Sequence, residues 1–117
     1  MHEYYLFLSL LSQIEESLNN FINPKIKKII LRIGEYSGVE EAYLREVIET
    51  FKEKTPLENA EILFEKDPLK ITCERCNLVA EVKTRACCPN CGSYEVKITG
   101  GLDVILKSIE LEDEECP

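Results

Sequence analysis

Two cysteine pairs, Cys73-Glu74-Arg75-Cys76 and Cys88-Pro89-Asn90-Cys91, separated by eleven residues, constrain the fold of this chain more than any other stretch. Two thiolates three positions apart can grip one ion from a single tight turn. Two such turns facing each other supply the four sulfurs of a tetrahedral site. Pro89 fixes the backbone after the first ligand of the second turn, and Gly92 permits the chain to return closely after the last. Six cysteines would allow disulfides in a secreted chain, but this pairing points to metal.

Four protein sulfurs leave no open coordination position, so the site reads as a structural zinc rather than a catalytic one. Iron is the other candidate, because Cys88-Pro89-Asn90-Cys91-Gly92 is similar to a rubredoxin knuckle. Against iron, Asn77 stands where the first knuckle would carry glycine, and the aromatic surroundings of such iron are missing. Cys87 adjoins a ligand and reads as a small packed residue, although it is placed to exchange with Cys88. Cys116 lies alone in an acidic tail.

The formal net charge is −8 among 117 residues, and about −10 once four thiolates and a divalent ion are counted. From Lys70 to Lys97 there are five basic residues against three acidic ones. The charge of the metal site cancels that surplus, which leaves no footprint for phosphate. A zinc ribbon acting on nucleic acid or in transcription is the rival reading, and Tyr94 would be its lone aromatic platform. No apolar run reaches membrane-span length, and Leu6–Leu11 is too short for a secretory segment, so a cytoplasmic location is expected.

Residues 4–22 place Phe7, Leu11, Ile14, Leu18, Phe21 and Ile22 at helical spacing, and Asn23-Pro24 stops that helix. Lys25–Ile33 is rich in isoleucine and reads as a strand. A turn over Gly34–Gly38 leads to a second helix, with Ser37 and Glu40 spaced as a capping box and Glu41 and Arg45 as a surface pair. Leu44, Val47, Ile48 and Phe51 mark its buried stripe. Ala60, Ile62 and Phe64 alternate as another strand, and Asp67-Pro68 breaks the chain before the cysteines.

After the knuckles, Tyr94, Val96 and Ile98 alternate with polar residues. Gly100-Gly101 then interrupts the strand and reads as a hinge, through which the ribbon would serve as a sensor as well as a scaffold. Leu102–Leu111 is too apolar for a small ribbon to cover, so it should rejoin the first sheet. The expected fold is α+β: a small three-stranded sheet with two helices plus an inserted zinc-ribbon domain. Its boundaries are 1–69 and 99–117 for the α/β domain and 70–98 for the ribbon, followed by a mobile acidic tail from Glu112.

His2, the only histidine, has no core to pack into beside the chain terminus. The amine of Met1, the amide nitrogen of His2 and its imidazole can close fused chelate rings on one ion. Planar nitrogen donors suit nickel(II) or copper(II). A frayed, idle terminus is the alternative.

Met1-His2-Glu3-Tyr4, Arg32-Ile33-Gly34-Glu35-Tyr36-Ser37-Gly38-Val39, the two cysteine pairs and Leu106-Lys107-Ser108-Ile109-Glu110 together resemble the hydrogenase nickel-incorporation proteins, the HypA family. The resemblance implies a nickel metallochaperone, not an enzyme. It places Ni(II) as cargo on Met1 and His2 with Glu3 beside them, and structural Zn(II) on Cys73, Cys76, Cys88 and Cys91. Glu40 matches a position where a carboxylate stands behind the nickel ligands. No second histidine exists to give a fourth nickel donor. A nickel-handling GTPase and a hydrogenase large-subunit precursor are the implied partners, with urease as a further client and a homodimer left open. Neither nucleic acid nor a membrane is among them.

Overall fold

The computed structural model describes residues 2–83 and 85–112, without the side chain of His2. Met1, the imidazole of His2, Cys116 and nearly all of the acidic tail therefore lie outside the described residues. The elements run α1 (His2–Ser17), β1 (Ile26–Gly34), α2 (Glu41–Phe51), β2 (Glu61–Asp67), β3 (Lys70–Cys73), β4 (Val79–Glu81), β5 (Val96–Gly100) and β6 (Val104–Leu111). They form two three-stranded sheets, ordered β2-β1-β6 and β4-β3-β5. The fold is thus the expected α+β arrangement, and the strand after the glycines rejoins the first sheet.

The chain divides into two compact units. The first comprises Met1–Leu31, Val39–Phe64 and Leu106–Pro117. Its core is built from Phe7, Leu10 and Ile14 of α1, Ile29 and Leu31 of β1, Leu44 and Ile48 of α2, with Leu57 and Ile62. Three expectations change here. Leu10, not Leu11, continues the buried stripe of α1, and Phe21 and Ile22 are exposed. The helix has already ended at Ser17, and Asn23, at φ 49°, turns the chain. Phe51 is half exposed and meets Tyr4 edge-on, with ring centroids 5.1 Å apart.

α2 is not opened by a capping box. Glu40 is the N-cap residue in extended geometry without a side-chain cap bond, while the amide of Ser37 donates to Gly34 O at 3.0 Å. Ser37 thus closes the turn after β1, and Gly38, at φ 77°, separates it from the helix. Arg45, expected to pair with Glu41, instead lies over the Phe64 ring at 4.6 Å and donates to Ile62 O. An edge strand offers both a π face and a bare carbonyl, which together hold the guanidinium better than one solvated carboxylate. Glu110 of β6 pairs with Lys28 at 3.2 Å and Lys27 at 3.7 Å. Those lysines, Lys28 above all, hold its carboxyl below the usual range.

The second unit comprises Arg32–Gly38 and Glu65–Ile105. Here β3 pairs antiparallel with both β4 and β5, and Lys70 lies opposite Gly100. Asp67, 5 % exposed, takes Arg32 Nη2 at 3.2 Å on one oxygen and the Gly101 amide at 3.1 Å on the other. Arg32 Nε is buried without a hydrogen-bond partner, since Glu65 stands 3.9 Å away. Gly101, at φ 91°, leaves no room for a side chain: a Cβ would lie 2.6 Å from Leu69 Cα. The expected hinge is instead a pinned turn, because the Asp67 carboxylate and the Leu69 backbone enclose it.

Candidate metal centre

The two cysteine turns are built alike. The Cys73 amide donates to Leu78 O and the Asn77 amide to Cys73 O; the Cys88 amide donates to Ser93 O and the Gly92 amide to Cys88 O. In each turn the amide of the second cysteine points at the sulfur of the first, Cys76 N to Cys73 Sγ and Cys91 N to Cys88 Sγ, both at 3.5 Å. Both turns need a left-handed residue just past the second cysteine. Gly92 adopts φ 73° and Asn77 φ 61°. Asparagine is among the few residues with a side chain that tolerate this region, so the missing first glycine costs the knuckle little.

The four sulfurs lie within 4.8 Å of one another, with Cys73–Cys91 at 3.6 Å and Cys76–Cys88 at 3.5 Å. A tetrahedron with metal–sulfur bonds of about 2.3 Å places its sulfurs about 3.8 Å apart, so the donor set fits one four-coordinate ion. A disulfide would require about 2.05 Å. Cys73 and Cys88 are buried, whereas Cys76 and Cys91 are exposed.

Two of the thiols, Cys73 and Cys88, are drawn toward the ligating thiolate form, and Cys91 is pushed away from it. The Cys76 amide lowers the Cys73 thiol, and the Cys91 amide brings Cys88 down to about 6. The Ser93 amide pulls Cys91 down, yet partial desolvation and the neighbouring sulfurs outweigh it and push this thiol up to about 11. Such a cluster cannot hold four negative sulfurs without a cation among them. Asn90 Nδ2 lies 3.9 Å from Cys76 Sγ, a weak donor to an outer ligand that the spacing of the cysteines did not reveal. Cys87 is half-buried next to Cys88. Beyond the knuckles, Tyr36 donates its hydroxyl to Lys83 O at 2.7 Å.

Among the described residues, these four cysteines are the group placed to hold a metal. Of the residues expected around nickel, Glu3 is 8 % exposed in the first turn of α1, and Glu40 is exposed at the start of α2.

Fold and site together define a small metalloprotein, a two-helix α+β body carrying a four-thiolate knuckle pair. Residues 1–111 match the family described as hydrogenase/urease nickel incorporation, metallochaperone, hypA. The chain is 40 % identical over 113 residues to the hydrogenase maturation factor HypA of Aquifex aeolicus, covering 96 % of this chain and 98 % of that one. Against the same factor from Shewanella sp. strain MR-7 the identity is 34 % over 116 residues, covering 98 % of each. The solution structure of the Ni metallochaperone HypA from Helicobacter pylori superposes with a TM-score of 0.75 at 28 % identity, covering 97 % of this chain and 100 % of that one. The chain belongs to the HypA family of nickel metallochaperones for hydrogenase maturation.

Proposed function

We propose that this protein carries nickel(II) on its N-terminus to a hydrogenase large-subunit precursor, with a nickel-handling GTPase as its partner and urease as a further client. The observation that carries the reading is the family match over residues 1–111, which begins at the proposed cargo site itself. The donors are the amine of Met1 and the amide and imidazole nitrogens of His2. Nitrogen donors in a plane favour nickel(II) over zinc, which prefers a tetrahedron. The amine and the imidazole must be unprotonated and the amide must lose its proton to bind, so uptake weakens in acid. A chelate at a chain end is open on several sides, which allows the ion to leave. Glu3 and Glu40 are its neighbouring carboxylates.

The four cysteines hold a structural zinc that orders the ribbon. Zinc bound there would cross-link the two turns and offer no reactive position. The domain boundaries proposed are 1–69 and 99–117 for the nickel part and 70–98 for the ribbon. The protein acts in the cytoplasm; among the described residues no helix is long and apolar enough to cross a membrane. The acidic surface favours protein partners over nucleic acid.

Nickel titration of the wild type and His2→Ala tests the reading, with zinc measured on the same samples. Loss of stoichiometric nickel binding in the variant, with one zinc retained per chain, is expected. Equal binding by both proteins places the nickel elsewhere and refutes the site, and stoichiometric iron in the purified protein refutes the zinc assignment.

A further inference from the structure

The four knuckle sulfurs differ in how they meet solvent. Cys73 and Cys88 are 0 % and 1 % exposed, whereas Cys76 and Cys91 lie open at the surface. One edge of the sulfur tetrahedron therefore faces water, and the opposite edge is buried in the ribbon. The short contacts run across the turns: outer Cys76 meets inner Cys88 at 3.5 Å, and outer Cys91 meets inner Cys73 at 3.6 Å. Each accessible sulfur thus has a protected partner on the facing turn.

Thiolate character and exposure together decide which cysteine an oxidant reaches. As zinc ligands, Cys76 and Cys91 have both. The inner sulfurs are held in place, since each accepts the amide of the outer cysteine of its own turn at 3.5 Å. An S–S bond of about 2.05 Å requires each cross-turn pair to close by about 1.5 Å, a movement that the exposed side chain can supply. The ribbon also has supports that need no ion: β3 pairs with β4 and β5, Ile71 is fully buried, and Tyr36 donates to Lys83 O.

We propose that the knuckle pair is a modification site for hydrogen peroxide, which converts the four ligands into two cross-turn disulfides, Cys76–Cys88 and Cys73–Cys91, and sets Zn(II) free. On the zinc reading, on which this inference rests, the Cys76 thiolate attacks one peroxide oxygen. The O–O bond breaks, leaving a sulfenic acid on Cys76 and a hydroxide. The Cys88 thiolate then attacks that sulfur, the S–S bond forms and a second hydroxide leaves. Two thiolates are oxidised by two electrons, and one peroxide is reduced to two hydroxides, which take protons from solvent. A second peroxide joins Cys91 to Cys73 in the same way. The disulfides span the two turns as the ion did, so the ribbon keeps its fold and accepts zinc again once a dithiol reduces it.

The test treats the zinc-loaded full chain with hydrogen peroxide beside a chromogenic chelator that leaves the untreated chain loaded, with metal content measured beforehand. Zinc release should be complete at about one peroxide per chain, because the two remaining thiolates cannot retain the ion against the chelator. Trypsin cuts at Arg75 and so separates Cys73 from Cys76, and fragmentation of the linked peptides assigns their partners. The expected links are Cys76–Cys88 and Cys73–Cys91. Circular dichroism should be unchanged by oxidation, and a dithiol with added zinc should restore one ion per chain. Cys87→Ser, which removes the spare thiol beside Cys88, should alter neither the release nor the links. Zinc that stays bound in excess peroxide, links confined to Cys73–Cys76 and Cys88–Cys91, or a main product linked through Cys87 or Cys116 overturns the proposal. A chain purified with another metal refutes the zinc reading alone, and its disulfide links still decide for or against the modification site.

Discussion

Gly101→Ala places a methyl group where three backbone atoms already stand: Leu69 Cα at 2.6 Å, Leu69 N at 2.8 Å and Pro68 O at 2.9 Å. No side chain can rotate away to relieve this contact, so the backbone itself must move. Gly38→Ala is the matched control, because Gly38 has φ 77° and nothing within 4 Å of its Cβ position. Both alanines suffer about 1–2 kcal/mol for left-handed backbone geometry, and both narrow the unfolded ensemble by a similar amount. These contributions cancel in the comparison. What remains is overpacking, about 1–3 kcal/mol, expected at the upper end because the neighbours are backbone. With a urea slope of about 1–3 kcal/mol/M for a small domain, the midpoint of Gly101→Ala should fall roughly 1–2 M below that of Gly38→Ala. Both titrations must be run at the same free zinc concentration, since any ion that binds the folded state shifts the midpoint. Equal midpoints would show that the turn yields freely, which would restore the hinge and refute the pinned turn.

Glu110→Gln should remove an acid-side component of stability. The carboxyl of Glu110 is held below its usual 4.5 by Lys28 and Lys27, so its contribution is complete above about pH 4.5 and disappears as the pH falls through the lowered value. Melting temperatures of wild type and variant should therefore differ at pH 6 and converge as the pH falls through the lowered value; a gap that persists in acid contradicts the assignment. Asn77→Val should lower zinc affinity by roughly 5–30-fold, the equivalent of about 1–2 kcal/mol of strain at a left-handed position. Asn77→Gly should bind as tightly as the wild type. Chelator competition measures both, and tight binding by the valine variant would remove Asn77 from the account.

The cysteine turns, the two helices and the break at Asp67-Pro68 were legible in the sequence because each depends on residues close together in the chain. Spacing alone gave the knuckles, and helical periodicity gave Phe7, Ile14, Leu44 and Ile48. What escaped depends on partners distant in sequence. Nothing near Arg45 announces that Phe64 and Ile62 will draw it away from Glu41. Nothing near Asp67 announces that Arg32 and Gly101 will converge on its two oxygens. The glycine pair was misread for the same reason. Locally it signals freedom, whereas the backbone of Leu69 makes Gly101 a place where only hydrogen fits. Asn77 counts by residue type against a rubredoxin knuckle, although its backbone geometry reproduces that of Gly92. The proposed nickel donors, Met1 and His2, rest on chelate chemistry and on the order of motifs along the whole chain, because a histidine at position two carries no periodicity.

The pairing of Lys70 with Gly100 also bears on how the chain finds its fold. Everything between those residues is an excursion that leaves and returns at one spot. Without a metal, the chain must bring these distant points together unaided, and the entropy lost grows with the length of the closed loop. Four thiolates gathered on one ion knot the excursion internally and leave a much shorter span to close. Zinc supply during synthesis would thus set the pace at which Asp67 meets Gly101, although neither residue touches the ion.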